Sequence, residues 1–171
     1  MEVEDLELVR SWNFSDEVRK FQFPILPVSS LQERVWYDGL SKDSKKIKLM
    51  ICEKESGIPV GLVGASGVDH VNKNCELGLT IGPSETWRKG LATDAGIVFC
   101  DFLFRQLGMH LIYGRYLKEN IGATTFQKKI GFVETGLLKE FVWKDGCFQD
   151  VYFVSMLYPS FREAKVRLGY E

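Results

Sequence analysis

The chain has no excess of charge of either sign: 22 Lys and Arg stand against 23 Asp and Glu in 171 residues. That balance excludes the broad positive field on which non-specific nucleic-acid binding depends, so any phosphate recognition must be local. No apolar run is long enough to span a bilayer, and the opening MEVEDLELVR is acidic where a secretory leader is basic and then apolar. A cytoplasmic protein without membrane contact is the expectation. His70 and His110 are the only histidines, and Cys52, Cys75, Cys100 and Cys147 lie far apart without a CxxC pair. Neither a disulfide framework nor a zinc site is therefore predicted, and no metal is expected. Also missing are GxxxxGK[ST] and a GxGxxG following a strand, which removes the usual fingerprints of nucleoside-triphosphate and dinucleotide binding. There are no repeats, low-complexity segments or linkers.

What is there suits one globular domain over residues 1–171, with 45% hydrophobic residues to build a core. The first third reads as helix: Leu6, Val9 and Trp12 at spacings of three, then Val18 and Phe21 after a Ser15 cap, then Leu31, Val35, Trp36 and Leu40. Strand-like runs follow at 47–53 and 59–65 around Ser56-Gly57, and at 75–81, where Cys75, Leu77, Leu79 and Ile81 alternate with Glu76, Gly78 and Thr80. Gly82-Pro83 ends that strand. Leu91, Ala95, Val98, Phe99, Phe102 and Leu103 predict an amphipathic helix of about five turns that closes at Gly108. A strand at 110–117, a helix started by Asn120 and a long hairpin around Asp145-Gly146 complete the chain. The order predicts a mixed sheet with helices around it.

The long helix opens in TWRKGLAT, with Arg88 and Lys89 adjacent. A helix N-terminus is already positive, so two cations there are unfavourable unless an anion accompanies them. Free backbone N–H groups, Gly90 for close approach and the Thr93 hydroxyl make the turn a candidate phosphate or pyrophosphate site. The plain alternative is a solvated helix start.

Together with its neighbours the stretch resembles the GNAT superfamily of N-acetyltransferases over residues 48–157. The family's pyrophosphate loop, Gln/Arg-x-x-Gly-x-Gly/Ala, appears as Trp87-Arg88-Lys89-Gly90-Leu91-Ala92. ELGLTIGP is similar to its central strand, and Glu119-Asn120 followed by Lys129-Ile130-Gly131-Phe132 resembles its later helix. The resemblance implies an α/β (α+β) fold with a mixed, mostly antiparallel, splayed sheet of six or seven strands flanked by helices. It also implies acetyl-coenzyme A lying in the splay. The pyrophosphate would then sit on residues 87–93, backbone groups of Leu79, Thr80 and Ile81 would pair with the pantetheine arm, and Asn120 would touch the cofactor. Trp87 replaces the usual Gln or Arg, and the family's first strand is short or missing.

In such an enzyme an amine attacks the thioester carbonyl and coenzyme A leaves as a thiolate. The attacking ammonium must first lose a proton to a base, for which Glu76 is the candidate; a solvated or paired glutamate is the alternative. A backbone N–H near 79–81 would hold the oxyanion. Gln127 stands seven residues after Asn120, where family members often place an acidic tyrosine; it can hydrogen-bond but not protonate. The opening DLELVRSWNFSDEVRKF and the ending DGCFQD look like the branch holding ribosomal-protein N-terminal and spermidine acetyltransferases. Yet FQFPILPVSSLQERVW carries Glu33 as its only acid, too few for a polycation pocket. The expected partners are acetyl-CoA and an amine acceptor (a protein N-terminus, polyamine or amino sugar), and self-association into a homo-oligomer is compatible with the sequence. A non-catalytic acyl-coenzyme A sensor is the competing reading.

Overall fold

Alternation of apolar and polar residues along the strands decides how the sheet is covered. In a computed structural model, which describes residues 1–24 and 26–170, a 3-10 turn at Val3–Asp5 leads into helices α1 (Leu6–Phe14), α2 (Asp16–Arg19) and α3 (Ser30–Leu40). Strands β1 (Ile47–Cys52), β2 (Pro59–Asp69) and β3 (Asn74–Ile81) follow, then α4 (Leu91–Arg105), β4 (Leu111–Leu117), α5 (Ile121–Ile130), the hairpin β5 (Val133–Lys144) and β6 (Cys147–Leu157), and α6 (Tyr158–Arg167). The sheet has six strands in the order β1-β2-β3-β4-β6-β5. Only β3 and β4 run parallel; all other pairs are antiparallel. The fold is the mixed, mostly antiparallel sheet with flanking helices that the sequence predicts, without a strand ahead of the N-terminal helices.

One face of the sheet holds the core. Ala65 of β2 lies opposite Leu77, Cys75 opposite Ile112, and Ile112 opposite Met156, so these side chains share a face. Against it pack Ile97, Phe99, Cys100, Leu103 and Phe104 of α4, Ile130 of α5 and Phe161 of α6. Fully burying each large side chain contributes roughly 1.5–3 kcal/mol, which makes this face the main source of stability. Trp12 of α1 lies flat on the backbone of Gly82, where any Cβ would collide with the indole; this contact seats the N-terminal helices at the end of β3.

The structure corrects three expectations. The long helix begins at Leu91, not within TWRK, because Arg88 (φ 64°) and Gly90 (φ 88°) take the left-handed conformation, which a helix cannot continue. The apolar side chains of α3 do not form core: Leu31 and Val35 are 72% and 64% exposed, and Trp36 is exposed as well, while Glu33 turns inward beside Arg10. Burial raises the pKa of the Glu33 carboxyl, with Arg10 opposing. Finally, α6 was not foreseen, since only Phe161 and Ala164 of its ten residues are buried.

Candidate active site

The two parallel strands diverge where the chemistry is expected. β3 and β4 pair only through Asn74–Leu111, Cys75–Ile112 and Glu76–Tyr113; beyond that, β3 from Leu77 to Ile81 has no partner on the β4 side. The bond from Gly82 N to Val60 O sets the antiparallel alternation. Glu76, Gly78 and Thr80 direct their backbone groups to β2, and those of Leu77, Leu79 and Ile81 face the gap. Backbone pairing with a bound arm is thus open to Leu79 and Ile81, whereas Thr80 has its backbone turned away and its side chain on the face of the sheet opposite the core, near Gln22.

At the mouth of the gap lies the loop before α4. From Arg88 to Thr93 no backbone N–H donates to any acceptor among the described residues, and α4 has no side-chain cap. Six free amides around a left-handed turn form an anion nest at the positive end of a four-turn helix. The predicted loop residues Arg88, Lys89, Gly90, Leu91, Ala92 and Thr93 are therefore together, with Arg88, Lys89 and Gly90 exposed. Trp87 differs: its indole Nε1 donates to the Ile81 carbonyl at 3.1 Å and its ring meets Phe21 edge-on, 6.0 Å between centroids. Its donor is already used, so Trp87 ties the loop to the end of β3.

Asn120 likewise has both ends engaged. Its Oδ1 accepts from Ala123 N at 2.9 Å as the cap of α5, and its Nδ2 donates to the Phe21 carbonyl at 3.2 Å. Gln127, two turns further along α5, is buried; its Nε2 lies against Gly114 of β4, 3.1 Å from where a Cβ would stand, and its Oε1 has no hydrogen-bond partner. An orphaned buried carbonyl at the wall of the gap is costly unless a donor arrives. The free amides, the unpaired strand edge and this oxygen fit an extended ligand with an anionic end and amide or thiol hydrogens along its length, as coenzyme A has.

Sequence reasoning missed the partner of Glu76. Arg115 reaches back across the gap and donates Nε to Oε1 and Nη2 to Oε2, both at 2.8 Å. This fork-shaped pair raises the arginine's pKa further above its ordinary value. Each Glu76 oxygen keeps a lone pair for a further donor. Phe23 stands 6.0 Å from the Arg115 guanidinium, and burial, reinforced by Glu76, raises the pKa of the neighbouring Tyr113 hydroxyl.

Residues 21–23 form a strap over this side of the gap, and Lys144 holds it down. The Lys144 ammonium, at the tip of the β5–β6 hairpin, donates to the carbonyls of Arg19, Lys20 and Gln22 at 2.8, 2.7 and 2.9 Å. Burial lowers its pKa, but three carbonyls satisfy all three N–H donors. The strap then brings Phe21 to Trp87, Phe23 to Arg115, and Gln22 Nε2 to 3.5 Å from the Thr80 hydroxyl.

Comparisons with known proteins give the family and the fold. Residues 1–133 match the family described as the acetyltransferase (GNAT) domain. The chain is 27% identical over 160 residues to an uncharacterized N-acetyltransferase of Bacillus licheniformis, covering 92% of this chain and 89% of that one. It is 30% identical over 143 residues to spermidine N(1)-acetyltransferase of Escherichia coli K12, covering 82% and 75%. Among solved structures, spermidine N-acetyltransferase from Vibrio cholerae, in complex with CoA and spermine, superimposes with a TM-score of 0.87 at 23% identity over 95% of each chain. No helix among the described residues is long and apolar enough to cross a membrane. The chain belongs to the GNAT family and is an N-acetyltransferase that uses acetyl-CoA.

Proposed function

We propose that the protein transfers the acetyl group directly to a primary amine held, together with acetyl-CoA, at the β3–β4 gap, the amine on the face of the sheet that carries Glu76 and Arg115. The observation that carries this reading is the coincidence of the unpaired edge of β3 with the Glu76–Arg115 pair at the point of divergence. The cofactor's pyrophosphate lies on the amides of residues 88–93, and its amide arm runs along Leu79 and Ile81. The acceptor enters as an ammonium and gives one proton, through water, to a free lone pair on Glu76. The neutral nitrogen then attacks the thioester carbon: the C–N bond forms, a backbone N–H of β3 takes the oxyanion, the nitrogen gives its surplus proton to water, and collapse breaks the C–S bond. Arg115 keeps the carboxylate of Glu76 aimed at the acceptor. Gln127 Oε1 receives a hydrogen from the cofactor arm or from the thiol once it is protonated by solvent.

Acceptors compatible with this frame are protein N-termini and small amines such as polyamines or amino sugars. Relatedness to spermidine acetyltransferases favours a polyamine; the single acid of the 21–36 segment, Glu33, is buried against Arg10 and offers a polycation nothing. The cytoplasm is the proposed compartment, in keeping with four unpaired cysteines. A sensor that binds acyl-coenzyme A without turnover has only Gln127 in its favour. Thiol release from acetyl-CoA against spermidine, small amines, amino sugars and short peptides separates the two. Acceptor-dependent release supports transfer, and its absence across the panel with coenzyme A still bound supports the sensor.

A further inference from the structure

A lysine reaches the acceptor side of the gap with no hydrogen-bond or ion-pair partner among the described residues. Lys48 of β1, Gly64 of β2 and Gly78 of β3 are opposite one another in register, on the same face as Glu76. The two glycines leave a trough: the Lys48 stem lies over Gly64, its Cδ 2.9 Å from where a Cβ would stand, and its ammonium ends 3.8 Å from the equivalent point on Gly78. Gly78 is exposed and adjoins the site where Glu76 and Arg115 meet. Among the described residues Lys48 makes no hydrogen bond and no ion pair. Glu76, a carboxylate whose charge acts on it, has an oxygen bonded to each of two Arg115 nitrogens, and burial lowers the pKa of the lysine. A half-buried cation with no partner is an unmet electrostatic demand.

The surroundings add to that demand. A cavity of about 590 Å³ opens from Lys48 towards the end of α3 and includes Lys42 and Lys46, with Asp38 the only acid among the described residues that line it. Asp38 is paired with Arg34 at 3.5 Å and Lys46 with Asp43 at 3.0 Å. The acceptor face thus presents Lys48 and Arg115 against Glu76 alone. A polyamine placed there would bring a second ammonium towards two cations, with Glu76 already shared between Arg115 and the reacting ammonium.

Resting on the acetyl-transfer reading above, we propose that the acceptor is an amine that also carries an acidic group, a carboxylate or a phosphate, and that Lys48 binds that group from the glycine trough. The reacting nitrogen faces Glu76 while the acidic end lies over Gly78.

The test is kcat/KM by thiol release for a series of ω-amino carboxylates of increasing length, each against its own amide, for O-phosphoethanolamine against ethanolamine, and for spermidine. At least one acidic amine should exceed its neutral counterpart by roughly 10- to 100-fold, the value of a charge-assisted hydrogen bond. That ratio should fall to near unity in Lys48→Met and persist in Lys48→Arg, with coenzyme A affinity and thermal midpoint showing that both variants are folded. The carboxylate and phosphate arms distinguish the two kinds of acid. Spermidine turned over faster than every acidic amine, or a preference for acids that survives Lys48→Met, overturns the inference and leaves acetyl transfer standing. Absence of turnover with every acceptor removes both.

Discussion

The two faces of β3 and β4 are made by the same residues in alternation, yet they do opposite work. Towards α4 and α5 the strands turn Cys75, Leu77, Ile112 and Tyr116, all buried. The other way they turn Glu76, Gly78, Thr80, Tyr113 and Arg115, which carry charge, hydroxyls or no side chain and stay partly accessible. Stability is drawn from the first face, and the proposed chemistry is assigned to the second. A change on one face should therefore leave the other's property intact.

The largest effect expected from breaking this division is on rate. Glu76→Gln should lower kcat by about 10²- to 10⁴-fold, the usual contribution of general base catalysis. Its melting temperature should hardly move, because the ion pair it weakens is partly exposed. Turnover and a thermal scan on one preparation check both halves. The reverse experiment is Leu103→Ala beneath the sheet, where full burial predicts a loss of about 2–5 kcal/mol in denaturant unfolding, with KM for the acceptor unchanged in the folded fraction.

Lys144→Met sharpens the comparison by loosening the strap without touching either face. Losing a charged donor to three carbonyls should cost about 1.5–3 kcal/mol. Because the strap carries Phe21 and Phe23, hydrogen exchange should rise across residues 19–23 and KM for the acceptor should increase more than kcat falls. Unchanged exchange there would show that the strap is held by its aromatic contacts instead. Smallest is Gly90→Ala, where nothing lies within 4 Å of the new methyl but φ of 88° disfavours it. A stability loss of about 1–2 kcal/mol is expected, along with weaker coenzyme A binding by calorimetry.

The comparison also explains what could be read from the chain. Strand alternation, the Asp145-Gly146 turn and the Asn120 cap are local signals, and the strands, hairpin and α5 lie where these signals put them. The left-handed Arg88 is not signalled by residue type, so the sequence pattern places the helix start a few residues before Leu91. Helical periodicity shows that α3 has an apolar side but not whether anything covers it. For α6 the cue was present in the proline at its first turn, but a helix with two buried residues has little apolar pattern. On the cofactor side the proposed anion-binding residues 88–93 are contiguous and offer free backbone amides, which makes them visible as a motif. The acceptor side depends on register between strands far apart in sequence. Arg115 meets Glu76 across 39 residues, Lys144 meets Gln22 across 122, and Lys48 reaches Gly78 only because Gly64 lies between them. None of these meetings leaves a local trace, although alternation in LIYGRYL already set Arg115 on the side away from the core.

Amide hydrogen exchange with and without coenzyme A tests the central claim most directly, since it reads the backbone groups assigned to the cofactor. The account predicts new protection concentrated at residues 88–93 and 77–81, with the β1–β2 pair little changed. Coenzyme A that binds while leaving both stretches unprotected would contradict it.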